Sequence, residues 1–311
     1  MKLTACITTF NRPKFFEESL RSLLNQTNNN FKILILDNGS DLETETIVRN
    51  FNMAHNNIFY KRHKPMPISE QRNLALNIVK TQYLGFLDDD DFWQKNKVQE
   101  FLNFLKEINN KDIALWYSGF NFFKEVDSEK IFSKKIIDPN SDLRSLLLQR
   151  GDFTGSASNP IINVKIAKNI NGYNNKIFTG EDYEFYLRLS ENNNFYITNK
   201  SLTFIRQHQG SRLGGRLEDY IRTEIIIYRK FCGLYDDIDQ ILKRKIATKL
   251  IRINKSKLAR KILNLRKLRF NREYFLNFGI YFLSFFGYKV YMFFHLNSIR
   301  LSKKFLRRKI L

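Results

Sequence analysis

Tyr83-Leu84-Gly85-Phe86-Leu87-Asp88-Asp89-Asp90-Asp91 runs from a short apolar stretch straight into four carboxylates. A brief apolar run bounded by polar residues suits a strand buried on both faces. Adjacent carboxylates at its end repel one another unless something compensates their charge. A divalent cation is one solution: Mg2+ and Mn2+ prefer oxygen ligands and take one or two carboxylates plus substrate phosphates. So placed, the cation would hold a nucleotide diphosphate and neutralise charge on the leaving group. The bland alternative is a solvated acidic loop.

The chain upstream of this stretch has the same rhythm. Leu3 to Thr9 is a first apolar, β-branched run, followed by Pro13 and then Phe16, Leu20, Leu23 and Leu24 at helical spacing. Phe31 to Leu36 reads as a second strand closing in the turn Asp37-Asn38-Gly39-Ser40, and Asp41 to Phe51 as a helix. Ile58 to Lys61 is a weak third strand, and Ser69 to Val79 a helix with Ser69 as its N-cap. Alternating strands and helices predict an α/β fold, a Rossmann-like, mostly parallel sheet flanked by helices. Ligands of such sheets sit beyond the carboxyl ends of the strands. Thr8 to Arg12, Asp37 to Ser40 and Asp88 to Asp91 all fall there. Further on, Ile113 to Phe123 reads as a strand, Ser141 to Gln149 as a helix, Ile161 to Val164 as a short apolar segment and Asp182 to Ser190 as an amphipathic helix.

Several side chains beyond the acidic run carry two readings each. Asp37 either accepts a hydrogen bond from a base N–H or forms an Asx-type turn or helix cap. Arg72 either meets a base carbonyl or phosphate with its planar fork or is a surface arginine. Glu181 and Asp182 either complement a helix N-terminus or supply the general base that takes a proton from an attacking hydroxyl. Arg206 is placed to pair with phosphate, and His208 either approaches a metal or is structural.

Together these segments resemble the inverting glycosyltransferases of family 2, which have a GT-A fold. The similarity runs in order through Thr8-Thr9-Phe10-Asn11-Arg12, Asp37-Asn38-Gly39-Ser40, Arg72-Asn73, Phe86 to Asp91, Gly180-Glu181-Asp182 and Arg206 to Ser211, and covers roughly residues 1–215. Asn38 stands where the family more often has Asp, and Gln71 where it has Ala. The resemblance implies a UDP-sugar donor and Mg2+ or Mn2+. It also implies roles: Asp37 on the uracil with Thr8 nearby and Arg72 assisting, Asp88 on the ribose or diphosphate, and Asp90 on the metal with Asp91 close behind and His208 as a further metal-site residue. Phe10, Arg12, Asp89 and Arg206 would complete the donor site. Asp182 would be the catalytic base and Glu181 would shape its surroundings or bind the acceptor. With four aspartates in a row, the metal-binding register can slip by one.

Charge divides the 311 residues unevenly. From Gln240 to Leu311 there are 20 Lys or Arg against the single acid Glu273, whereas the rest holds 32 basic and 30 acidic residues. So local an excess points to an anionic partner surface. Residues 1–225 are expected to form the catalytic domain and 226–311 a helical, basic, membrane-associating region. Ile246, Leu250, Ile253, Ala259, Ile262 and Leu263 fit a basic amphipathic helix, and Tyr274 to Leu296 is rich in Phe and Tyr. Such a segment can lie in the membrane interface, span the bilayer or pack on the protein, and the interfacial form agrees best with its polar breaks and basic flanks. The tail has no recognisable nucleic-acid module, so nucleic acid is not an expected partner. Two cysteines and a start without a secretory pattern predict a reducing, cytoplasmic setting.

The functional expectation is therefore transfer of a sugar from a UDP-sugar to a lipid-linked saccharide, by an enzyme peripherally attached to the cytoplasmic face of the inner membrane. The acceptor would be a polyprenyl-diphosphate oligosaccharide or a lipopolysaccharide core. A sugar nucleotidyltransferase and a non-catalytic membrane- or nucleic-acid-binding protein are the alternatives.

Overall fold

The structure, a computed structural model, describes residues 1–53, 55–109, 112–126, 129–135, 138, 143–150, 155–207, 216–233, 236–263 and 272–285. The chain separates into two units, Met1–Gly214 and Gly215–Leu311.

The first unit begins as its pattern dictates. Strands β1 (Leu3–Thr9), β2 (Lys32–Asp37), β3 (Ile58–Arg62) and β4 (Tyr83–Asp88) alternate with helices α1 (Pro13–Leu24), α2 (Leu42–Asn52) and α3 (Ile68–Ile78). β1 lies between β2 and β4, and all four strands are parallel. Alternate residues on both sides of these strands are buried. Leu3, Ala5, Ile7, Ile33 and Ile35 meet Phe16, Leu20 and Leu23 of α1 and Val48 of α2. Cys6, Leu34, Leu36 and Phe86 are buried on the other side. This double burial is why the strands read as unbroken apolar runs.

The second half departs from a simple parallel sheet. After β5 (Phe92–Trp93) and α4 (Lys97–Glu107) come β6 (Leu115–Val126), β7 (Glu129–Lys135), α5 (Leu143–Arg150), β8 (Ile161–Asn163), α6 (Val164–Asn169), α7 (Glu181–Leu189) and β9 (Phe195–Arg206). Among the described residues nine strands form one mixed sheet in the order β3-β2-β1-β4-β8-β6-β9-β5, with β7 on β6. The three residues of β8 run antiparallel to both β4 and β6. Ser69 corrects the expectation for α3: it lies inside the helix, fully buried, and Pro67 occupies the N-cap with φ −58°. Proline presets that entry angle, so no hydroxyl cap is needed.

The second unit is helical: α8 (Leu217–Phe231), α9 (Asp236–Arg252), α10 (Ser256–Leu263) and α11 (Arg272–Leu283). Residue 225 falls inside α8, so the break between the units lies earlier than the expected domain boundary. Ile221 of α8 packs with Ile246, Leu250, Ala259 and Leu263, so the apolar stripe expected on a basic amphipathic helix forms this unit's own core. The stripe also lies on two helices, since the chain turns at Asn254 with φ +58°. Among the described residues no helix is long and apolar enough to cross a membrane. Residues 286–296 of the expected Phe- and Tyr-rich segment lie outside the described ones.

Candidate active site

The sheet register gathers the three polar clusters at one edge. Thr8 pairs with Asp88 on one side, and Thr9 with Asp37 on the other. Asn11, at φ +51°, ties two loops together: its N–H donates to Ser40 Oγ at 3.0 Å and its Oδ1 accepts from the Asp41 N–H at 2.8 Å. Thr8 is half-buried, and Phe10 beside it is 49% exposed at the mouth.

The four aspartates divide by alternation. Asp89 is buried; its Oδ2 accepts from Thr9 Oγ1 at 2.9 Å and its Oδ1 from Arg12 Nη1 at 3.1 Å. Asp91 is buried as well: Oδ2 accepts from Ser158 Oγ at 2.6 Å and stands 2.8 Å from Ser156 Oγ, while Oδ1 accepts from the Arg206 N–H at 2.9 Å. Burial and the neighbouring Asp88 and Asp90 push the Asp91 carboxyl up to about 8. Burial and Asp90 push Asp89 up to about 6. Asp88 and Asp90 face the opening instead, with side chains 36% and 17% exposed. Asp88 Oδ2 accepts from Ser156 Oγ at 2.8 Å and Asp90 Oδ2 from Arg12 Nη1 at 2.7 Å. The open pair is therefore Asp88-x-Asp90. Asp91 was expected at the metal, but its lone pairs serve to fold the acidic turn.

Arg72 is not the surface arginine that one of its readings expected. It is 4% exposed and lies beside the rings of Phe86 and Tyr173, at 5.7 and 5.4 Å from their centroids. Its Nη1 donates to Glu181 Oε1 at 2.7 Å and to Asp182 Oδ1, and its Nη2 lies 3.8 Å from Asp88 Oδ1. One buried guanidinium thus joins the end of β4 to the first turn of α7, and none of these contacts needs a nucleotide. Gly180 starts α7 in a left-handed conformation with φ +75°, and Glu181, Asp182 and Glu184 fill the first turn, where the helix dipole favours acids. Glu184 is taken up by Arg188 at 2.7 Å.

Asp37 and Arg206 also turn inward. Asp37 is fully buried; Oδ1 accepts from the Ser40 N–H at 2.7 Å and Oδ2 from the Tyr60 hydroxyl at 2.6 Å. The turn-forming reading is the one these bonds support. Burial, together with the bond to Asp37, raises the Tyr60 phenol well above its usual range. Arg206 is 6% exposed between Phe15 and Phe123, donating from Nε to the Asp90 carbonyl at 3.0 Å and from Nη2 to Glu18 at 2.5 Å. It clasps the acidic turn against α1. His208 lies outside the described residues.

Sequence reasoning missed a supporting shell. Lys97 is fully buried and donates from Nζ to the carbonyls of Ser158 and Asn159 and to Thr203 Oγ1, at 3.2, 2.7 and 2.6 Å. Burial drives its ammonium well below the usual lysine range. These bonds seat the Ser156–Ser158 loop, whose hydroxyls reach Asp88 and Asp91. Asn73 fixes a second loop: its Oδ1 accepts from the Tyr173 N–H at 2.7 Å and its Nδ2 donates to the Tyr173 carbonyl at 2.9 Å. The only local signal for either shell is the small-residue run Gly155-Ser156-Ala157-Ser158.

Asp88, Asp89, Asp90, Asp91, Glu181 and Asp182 outnumber Arg12 and Arg72 around this cleft, so it favours a cation. Among the described residues no three His, Cys, Asp or Glu side chains converge as a complete metal cage. The donor set fits a hard cation held by Asp88 and Asp90 and completed by phosphate oxygens.

Comparisons with known proteins agree with this architecture. Among solved structures the chain superposes on Staphylococcus aureus TarS 1-349 with a TM-score of 0.61 at 17% identity, covering 91% of this chain and 81% of that one. It superposes on the mannosyltransferase PcManGT of Pyrobaculum calidifontis, solved with GDP-Man and Mn2+, with a TM-score of 0.53 at 12% identity, covering 85% and 72%. In sequence it is 26% identical over 247 residues to the Escherichia coli UDP-Glc:alpha-D-GlcNAc-diphosphoundecaprenol beta-1,3-glucosyltransferase WfaP, covering 76% of this chain and 93% of that protein. It is 28% identical over 200 residues to an uncharacterized glycosyltransferase of Methanocaldococcus jannaschii, covering 61% of this chain and 65% of that protein. Across that protein and four rickettsial glycosyltransferases the chain spans 16–65% of the relative's length. The family described as Glycosyl transferase family 2 matches residues 4–170, more than half of the chain, and takes in β1 from its second residue through β4 with the acidic edge. The chain belongs to glycosyl transferase family 2.

Proposed function

We propose that this protein transfers a sugar, with inversion, from a UDP-sugar to a hydroxyl of a polyprenyl-diphosphate-linked saccharide at the cytoplasmic membrane face. The observation that supports this reading is the Arg72 bridge, whose guanidinium bonds Asp182 and lies 3.8 Å from Asp88; Asp182 would then be the proton acceptor for a donor whose diphosphate lies at Asp88. Two relatives support the acceptor class by name: the undecaprenol-linked glucosyltransferases of E. coli and Campylobacter jejuni. Family membership favours this reading over a nucleotidyltransferase or a non-catalytic binding protein.

In this reading the donor lies across the carboxyl edge of β1 and β4, with Thr8, Phe10 and Arg12 at the mouth. Asp88 and Asp90 would hold Mg2+ or Mn2+, which would neutralise charge on the diphosphate. Asp37, Asp89, Asp91 and Arg206 keep the edge in shape from beneath. Asp182 accepts the proton of the acceptor hydroxyl as its oxygen bonds to the anomeric carbon. The bond from that carbon to the diphosphate breaks on the opposite side, releasing UDP. Arg72 holds Asp182 in place, and Glu181 shapes the acceptor side.

Calorimetric titration of UDP, with and without Mn2+, tests the donor site. Binding should need the metal and vanish in Asp90→Ala. Asp182→Asn should keep UDP binding while transfer to an undecaprenyl-linked acceptor falls by about 10²–10⁴-fold, the usual worth of a positioned base. Full transfer by Asp182→Asn would remove it as the base.

A further inference from the structure

Helix α11 and the turn after it place Ile280, Tyr281 and Leu283 against the core of their unit, but bury polar side chains on that side and leave aromatic ones outside. Asn277 and Ser284, seven residues apart and so on one face, are 0% and 1% exposed. Asn277 Nδ2 donates to the Gln240 carbonyl at 3.4 Å, and the Ser284 carbonyl accepts from Arg260 Nη1 at 3.0 Å. Phe278, Phe282 and Phe285, at steps of four and three, stand 47%, 53% and 60% exposed. A Cβ added to Gly279, in the same stretch, would meet nothing within 4 Å. A helix facing water shows the reverse arrangement. Apolar side chains exposed together mark an interaction surface.

Charge decides the occupant. Residues 240–311 carry 20 Lys or Arg against one acid, so a second copy of this chain would be repelled. An anionic lipid surface is attracted. Helix α10 exposes Leu258 next to Lys257, and the Arg260 guanidinium lies 4.3 Å over the Phe285 ring. A cation above a ring at an apolar edge matches the boundary between acyl chains and headgroups.

We propose that Phe278, Phe282 and Phe285, with Leu258, form a docking face for an anionic bilayer, the rings entering the headgroup boundary while the surrounding lysines and arginines meet lipid phosphates. This deepens the membrane-surface part of the reading above and rests on it.

Sedimentation of the full chain with vesicles tests the docking face without nucleotide or sugar. Binding is expected to mixed phosphatidylglycerol–phosphatidylethanolamine vesicles, to weaken with salt, and to be nearly absent on phosphatidylcholine. Phe282→Ser with Phe285→Ser should weaken it by about tenfold or more, as two half-embedded rings are lost. Phe59→Ser, at an exposed aromatic of β3, should leave it unchanged. Gly279→Leu, which adds apolar surface in open space, should tighten binding while its circular dichroism and melting curve stay those of the folded chain. Unchanged binding in the double variant, equal binding to phosphatidylcholine, no gain in Gly279→Leu, or wild-type self-association abolished by the double variant would each overturn the proposal. If UDP binding failed while vesicle binding behaved as expected, only the transfer reading would fall.

Discussion

Arg72 faces Asp88, Glu181 and Asp182 with one buried guanidinium. Burial works against its charge, and the Asp182 and Glu181 carboxylates outweigh that cost, so the residue stays cationic. Its planar fork reaches several acceptors at once, which a lysine ammonium cannot do. Arg72→Lys should therefore keep the fold with a lower melting temperature and lose at least about tenfold in transfer. Arg72→Gln leaves buried acids uncompensated and should cost about 3–5 kcal/mol in urea unfolding. Wild-type stability in Arg72→Gln would mean the bridge contributes little. This role was not legible in the sequence. The segment Gln71-Arg72-Asn73 names a polar helix face but not what faces it, and the partners lie more than a hundred residues away.

At the scale of elements, loops held by one side chain are the sensitive points. Gly172 has φ +60°, and a Cβ there would come within 2.3 Å of Asn73 Oδ1. Gly172→Ala meets both the left-handed penalty of about 1–2 kcal/mol and the loss of the Asn73 bonds to Tyr173. Its melting temperature should fall by several degrees, while Gly233→Ala, also at positive φ but with open space around it, should fall less. β1 to β4 were legible because burial on both faces leaves apolar runs of fixed length. β9 was not, because Asn199-Lys200-Ser201 interrupts it where its pairing with β6 shifts register. β5 has two residues and β8 three, too few for any periodicity, so the antiparallel insertion is set by tertiary pairing. The signal for α4 was present in Val98, Phe101 and Leu105, but its buried Lys97 has no sequence signature. The acidic edge was legible as a cluster, whereas the division into open Asp88 and Asp90 and enclosed Asp89 and Asp91 depended on Ser156, Ser158 and Arg206.

For the whole molecule, the enclosed acids couple folding to pH. Asp89 and Asp91 lie at about 6 and about 8 in the folded chain, above the ordinary carboxylate range near about 4. Across that window the folded state holds protons that the unfolded state has released. Stability should therefore be greatest at the acid end and decline as pH rises towards 8. Melting curves between those limits, without metal, should slope downward by a few degrees, and Asp91→Asn should flatten the slope. A slope of opposite sign would show that other groups dominate.

The Arg206 clasp has a consequence for how the chain comes off the ribosome. Its bonds to Asp90 and Asp91 close loops of more than a hundred residues, and its bond to Glu18 a longer one. Contacts of such separation form late, after local helices and neighbouring strands. Synthesis proceeds from the N-terminus, so β1 to β4 can pair while the acidic turn still lacks its last restraint. The turn that would hold the donor is made more than a hundred residues before Arg206 and, by this wiring, is among the last to be set. A nascent chain can own every carboxylate of the site and still have no site until residue 206 has emerged.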